Sequence, residues 1–388
     1  MANGKFLPPK LNPLLTRLIQ SIFYLVMYFG YQIKLKVSDC DLAVLKDIAD
    51  KRVIYLPNHS NLDDGLVMFL FSARLGQLFH YIVAYEAFQG FIGKLMQKVG
   101  AYSIRRGMGD RPSIIQTLDI IQQEQSKLAI FPEGGCSYQN DTVMPFRTGG
   151  VELAFKALEK LAKQGIVPDL YLVPVSIKYW YPSNGDIQIE QSLKELESAL
   201  SIEPKQNDLY LRLRNIGAKI LSNLEAEYKI IPEVNRDWNQ RIAILKQQLL
   251  HYCEQQLNIA PATQFPNRER VYKIQALLAD IEKSEAKSNI DYQHLRLTTV
   301  RLLNFDAIYD GYVAQNPTRE RYIATLDRFE REVFQIDRPK PKGMREAEVK
   351  INTPIDLANY WQQNKAERAI AIKELTRTIQ QQVQANLN

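Results

Sequence analysis

The chain is short of the residues that staple a fold or bind metal. It has three cysteines in 388 residues, Cys40, Cys136 and Cys253. Far apart in sequence, they match neither a disulfide framework nor a zinc motif. Histidine is almost as scarce, with His59, His80, His251 and His294. No internal repeat or low-complexity segment is evident. Charge of one sign barely dominates. The net value is +6, which suits an anionic surface such as lipid headgroups, whereas nucleic-acid binding needs a denser basic patch. No uncharged run reaches the roughly 20 residues of a spanning helix. What remains is 46% hydrophobic and 24% charged, enough for a folded, intracellular protein of two domains.

One stretch comes near a membrane segment. Between Arg17 and Lys34 there is no charge, and Ile22–Phe29 is continuously apolar. Lys5, Lys10 and Arg17 precede it, Lys34 and Lys36 follow, and Tyr24, Tyr28, Phe29 and Tyr31 suit an interface. This predicts a helix lying in or dipping into one leaflet, with a buried core helix as the alternative. No small-residue cleavage site follows, so a signal peptide is not expected.

The chemistry-bearing residues lie between 50 and 180. Val53–Pro57 reads as a strand and runs into Asn58-His59-Ser60-Asn61-Leu62-Asp63-Asp64. A histidine at a strand's carboxyl end can accept and return a proton near neutral pH. A nearby carboxylate fixes its tautomer and stabilises the imidazolium. The bland reading makes His59 a turn residue and Asp63 or Asp64 a helix cap. Gly100–Arg106 ends in Arg105 and Arg106, whose guanidinium forks match phosphate oxygens. In Leu128–Ser137 a strand runs into Phe131-Pro132-Glu133-Gly134-Gly135. Gly134 and Gly135 permit close backbone approach, and Ser137 adds a hydroxyl. Leu172–Ile177 reads as a strand carrying Pro174, which is unusual in a central strand.

Together and in this order the four segments resemble the PlsC-like glycerolipid acyltransferase family. Its blocks are Asn-His-x-x-x-x-Asp, Gly-x-x-x-x-x-Arg, Phe-Pro-Glu-Gly and Val-Pro-Val. The resemblance implies acyl transfer from acyl-CoA or acyl-carrier protein to a hydroxyl of glycerol phosphate or a lysophospholipid. It implies no cofactor or metal, no nucleic-acid partner, and a membrane-associated protein with its site on the cytoplasmic side. His59 matches the catalytic histidine and Asp64 its partner. Gly100 and Arg106 match the second block, with Arg105 beside it. Glu133 and Gly134 match the acceptor block, flanked by Gly135 and Ser137. Pro145-Phe146-Arg147-Thr148-Gly149 resembles a following Pro-Phe-Lys-x-Gly segment, making Arg147 a further positive charge. Cys136 stands where the family usually has arginine. The Arg-Arg and Glu-Gly-Gly features resemble the glycerol-3-phosphate branch, and Phe-Pro-Glu-Gly the 1-acylglycerol-3-phosphate branch. The favoured acceptor is 1-acylglycerol-3-phosphate. A thioesterase and a lipid-binding scaffold are the readings from other classes.

Strands are predicted at 52–57, 80–84, 101–104, 128–131 and 171–178, and helices at 63–75, 86–98, 111–125 and 149–164. The alternation predicts a layered α/β domain with a largely parallel central sheet. From 190 on, charged stretches with helical spacing at 208–228, 234–257, 267–284, 289–309, 318–335 and 364–386 predict a mostly helical module. The expected organisation is a membrane-associating helix at 1–36, the α/β domain at 37–190, a helical module at 191–338 and a return segment at 339–388. Asp186–Glu190 is a candidate strand. Ala347–Leu357 is another, and if it rejoins the sheet the helical module is an insertion.

Overall fold

The computed structural model describes residues 6–166, 169–181, 185–203, 207–232, 235–283, 290–363 and 367–388. Lys5 and the expected helix positions 234, 284, 289 and 364–366 lie outside the described residues. The chain divides into two compact units. One comprises the described residues 6–105, Gly109–Trp180 and Met344–Asn388. The other comprises Tyr181–Gly343 with Arg106–Met108.

The first unit is built on a sheet of eight strands. They are β1 (Ile33–Lys36), β2 (Arg52–Pro57), β3 (His80–Ala84), β4 (Ala101–Ile104), β5 (Lys127–Ala129), β6 (Leu170–Trp180), β7 (Arg345–Ile351) and β8 (Ile355–Asp356). The order is β1-β7-β6-β2-β5-β3-β4, with β8 also on β6. Only the β6–β7 and β6–β8 pairings are antiparallel. Every residue of β2 is buried, as expected for a strand covered on both faces. Ile54 and Leu56 face a core shared with Ala154, Phe155 and Leu158 of the helix Gly149–Lys163 and with Ile379 and Val383 of the helix Arg368–Ala385. Tyr55 points the other way, against Phe71 of the helix Asp64–Arg74 and against Phe79.

Pro174 is tolerated inside β6 because of where it falls. β7 pairs with residues 175–180 and β8 with 171–172. Pro174 sits in the gap between them, where its carbonyl accepts the Asn352 amide at 3.1 Å and an absent N–H leaves no ladder partner stranded. Ala347–Leu357 therefore does rejoin the sheet. In β7, Arg345, Ala347, Val349 and Ile351 are buried while the alternate residues are half-buried, the period of a strand.

The helix Pro13–Leu25 has Asn12 as its cap and continues through a wider turn at Val26–Gly30. Its facing is inverted relative to a soluble amphipathic helix. Thr16 and Gln20 are buried, with the Gln20 amide donating to Ser72 Oγ and the Gln77 carbonyl. Leu14, Leu18, Ile22, Leu25 and Phe29 are exposed, Leu14 by 85% and Phe29 by 75%. The 18 residues Pro13–Gly30 are long and apolar enough to cross a membrane by length and composition.

The second unit is helical. Its longer helices are Gly185–Ala199, Leu209–Glu227, Trp238–Gln256, Asn267–Lys283, Tyr292–Asn304 and Arg319–Val333. Asp208, Asp237, Asp291 and Thr318 each cap a helix start by accepting a main-chain N–H of its first turn. Leu245, Leu249 and Leu250 form one buried stripe, and Tyr322, Leu326 and Phe329 another. Asp186–Glu190, expected as a strand, is the start of the helix Gly185–Ala199. Its short Ile-Gln-Ile alternation imitates a strand. The longer spacing of Ile189, Leu193 and Leu196, all buried, is helical and prevails.

Candidate active site

β2 and β5 are neighbours and parallel, so the loops after them leave the same edge of the sheet. That edge is where open α/β sheets place their ligands. The first loop is clamped by Asn58. Its amide donates to the Ile177 carbonyl at 3.0 Å and its oxygen accepts the Ile177 N–H at 2.7 Å, extending the β2–β6 ladder by a side-chain rung. The next residue, His59, is thereby fixed at the strand's end. Its Nδ1 lies 2.9 Å from Asp64 Oδ2. The histidine side chain is 21% exposed and the aspartate fully buried. Asp64 Oδ2 also accepts the Asn61 amide at 2.8 Å, and Oδ1 accepts the Tyr179 hydroxyl at 2.7 Å. Desolvation, then the nearby Asp64 charge, holds the Tyr179 phenol well above its ordinary range, so it remains a donor. Phe131 packs against the imidazole, with ring centroids 4.6 Å apart.

The second loop closes on the first. Glu133 is buried, and its Oε1 accepts the His59 main-chain N–H at 2.6 Å. Its Oε2 accepts the Met144 amide at 3.0 Å. The Ser137 amide donates to the His59 carbonyl at 2.7 Å. Ser137 Oγ accepts the Gln139 amide at 3.2 Å. Gly134 has φ +70°, and a Cβ there would lie 2.6 Å from the Arg147 guanidinium. That close approach accounts for the glycine. The Arg147 amide is held by the Pro132 carbonyl at 2.9 Å. Gly135 is buried and Cys136 partly exposed.

Asp64, Glu133 and Ser137 are thus each hydrogen-bonded to His59, and Gly134 and Arg147 meet in the same loop. Arg105 lies just past β4, its amide donating to Asp110 Oδ2 at 2.7 Å. Arg106 groups with the helical unit, where its guanidinium stacks 4.3 Å over the Tyr272 ring. Among the described residues no three His, Cys, Asp or Glu side chains group as a metal site.

Sequence reasoning missed Tyr179, Asn140, Asp63 and Arg345. Asn140 brackets the Tyr179 backbone, accepting its N–H at 2.8 Å and donating to its carbonyl at 2.7 Å. Asp63 forms a buried ion pair with Arg345. Tyr179's place near the carboxyl end of β6 was an available signal. Arg345, so distant in sequence, gave none.

Comparison with known proteins agrees with this geometry. No curated protein matches the chain. Residues 41–178 match the family model described as Acyltransferase, and the match spans β2, both loops and most of β6. This segment of the chain belongs to the PlsC-like acyltransferase family.

Proposed function

We propose that the protein is a membrane-associated O-acyltransferase acting on a glycerol phosphate or lysophospholipid hydroxyl. The observation that carries the proposal is the partly exposed His59 held by the buried Asp64 carboxylate. His59 Nε2 takes the proton of the acceptor hydroxyl as its oxygen attacks the thioester carbonyl. The new C–O bond forms, the C–S bond breaks, and the imidazolium returns its proton to the leaving thiolate. No enzyme nucleophile is needed, so Cys136 has no covalent role. A base so placed contributes about two to four orders of magnitude in rate. Arg105 and Arg147 supply positive charge for the acceptor phosphate, with Arg106 as a further candidate. The donor is acyl-CoA or acyl-carrier protein.

The favoured acceptor is 1-acylglycerol-3-phosphate, and glycerol-3-phosphate is the alternative within the same class. The outward-facing Leu14, Leu18, Ile22, Leu25 and Phe29 suit burial in the acyl boundary of one leaflet, with the site on the cytoplasmic side. The test is mass spectrometry of lipid products from purified full-length protein. It receives acyl-CoA or acyl-carrier protein with glycerol-3-phosphate, lysophosphatidate or other lysolipids. A product absent with His59→Ala supports the proposal. Free fatty acid released regardless of acceptor would replace it with a thioesterase.

A further inference from the structure

An ionised carboxylate is symmetric, so nothing within Asp64 selects the oxygen and the plane presented to His59. The donors around it must. Oδ2 is set by the histidine and the Asn61 amide. Oδ1 receives the Tyr179 hydroxyl, and a fully buried carboxylate needs such donors. Tyr179 is itself 3% exposed, too enclosed to touch a substrate. Its backbone is bracketed on both polar atoms by Asn140. The Arg345 guanidinium lies 5.0 Å from its ring centroid, and Arg345 is ion-paired with buried Asp63. Asp63 adjoins Asp64 in the chain, so the contacts close into a ring of Asp64, Tyr179, Arg345 and Asp63. The consecutive aspartates grip different strands, Asp63 through Arg345 of β7 and Asp64 through Tyr179 of β6.

We infer that Tyr179, backed by Arg345, is a positioning residue that sets the Asp64 carboxylate against His59. The inference rests on the reading of His59 as the base. It places the aim of the dyad in residues beyond the catalytic loop, one of them on the strand that returns after the helical unit. Loss of the phenol lets the carboxylate turn, and the imidazole loses its fixed tautomer and direction. Substrate contacts are untouched, so the defect falls on turnover and spares affinity.

The experiment is steady-state acyl transfer by the full-length protein, using whichever glycerolipid acceptor yields product. Tyr179→Phe keeps the ring and deletes one hydroxyl. The expected result is a roughly tenfold to hundredfold fall in kcat, the size expected for one hydrogen bond to a charged group, with KM for donor and acceptor within twofold of wild type. Because Arg345→Met alone removes the guanidinium that faces the buried Asp63 carboxylate, the second variant is the double Asp63→Asn/Arg345→Gln. It is expected to show the same kcat-only loss in a smaller degree. A wild-type kcat in Tyr179→Phe overturns the inference. So does a fall accompanied by a matching rise in acceptor KM, which would make the phenol a substrate contact. His59→Ala in the same assay separates the two readings. Turnover surviving there overturns the base assignment and the inference with it, whereas turnover lost there but intact in Tyr179→Phe overturns the inference alone.

Discussion

Glu133 offers the sharpest contrast between family resemblance and local geometry. The resemblance implies contact with the acceptor. In the structure Glu133 is 2% exposed, with its two oxygens receiving the His59 and Met144 amides. It braces the His59 loop against the loop after β5. Glu133→Gln keeps one acceptor and turns the other oxygen into a donor facing an N–H. One charge-assisted hydrogen bond, about 1.5–3 kcal/mol, is lost and a buried N–H is left opposed. The expected loss of stability is about 2–4 kcal/mol. For a unit of this size each kcal/mol moves Tm by about 2–4 °C, giving a fall of roughly 4–16 °C. Thermal unfolding by circular dichroism reads the stability, and acceptor titration reads the kinetics. The brace predicts a lower Tm and a kcat lowered about tenfold or more, with acceptor KM within twofold. An unchanged Tm with acceptor KM raised tenfold would refute it and make Glu133 an acceptor ligand.

The remaining predictions concern other links of the chain. His59→Ala is expected to lower acyl transfer by about two to four orders of magnitude while far-UV circular dichroism and Tm stay at wild type, since the ring is partly exposed. His80 is pushed down from 6.5 to about 4 by burial, and its Nδ1 is buried without a hydrogen-bond partner. Between those values the unfolded chain binds the proton that the folded one refuses, so stability falls as pH drops from about 6.5 to 4, by at most about 3 kcal/mol. In urea unfolding across that range His80→Phe should flatten this part of the pH dependence, and an identical slope would count against it. Leu14→Glu with Leu18→Glu should abolish flotation with anionic liposomes and leave Tm unchanged, because both side chains are already in solvent. Persistent flotation would remove this helix as the membrane contact.

Much of the sheet was legible in the sequence. β2, β3, β4 and β6 are compact apolar runs between turn residues, and the loops after β2 and β5 carry their chemistry in consecutive residues. β1 was not legible, because Ile33–Lys36 alternates lysine with apolar residues directly after an apolar helix and merges with it. The dyad was readable because His59 and Asp64 share one loop. Its supports were not. Tyr179, Asn140 and Arg345 reach Asp64 and Asp63 only through the order β7-β6-β2, and long-range pairing of that kind leaves no local pattern. Glu133 was identified for its position at a strand end, but its partners are main-chain amides, which the identity of a side chain does not reveal. Asp186–Glu190 shows the opposite error, a local alternation overridden by burial farther along the same helix.

β6 ends at Trp180 and β7 begins at Arg345, with Trp180 opposite Glu346 in register. In chain connectivity these strands are the two arms of a hairpin whose turn has been replaced by roughly 160 residues. While the helical unit is folded, its own packing holds that long turn closed. Should it melt first, β6 and β7 must close a slack loop instead. Loop entropy grows by about 0.6 kcal/mol per doubling of length, so the penalty over a four-residue turn is about 3 kcal/mol. That sum falls on the strand pair carrying Tyr179 and Arg345. Heat, or a protease that loosens the helical unit, would thus reach the His59–Asp64 pair through polymer entropy alone, with no contact between the two units required.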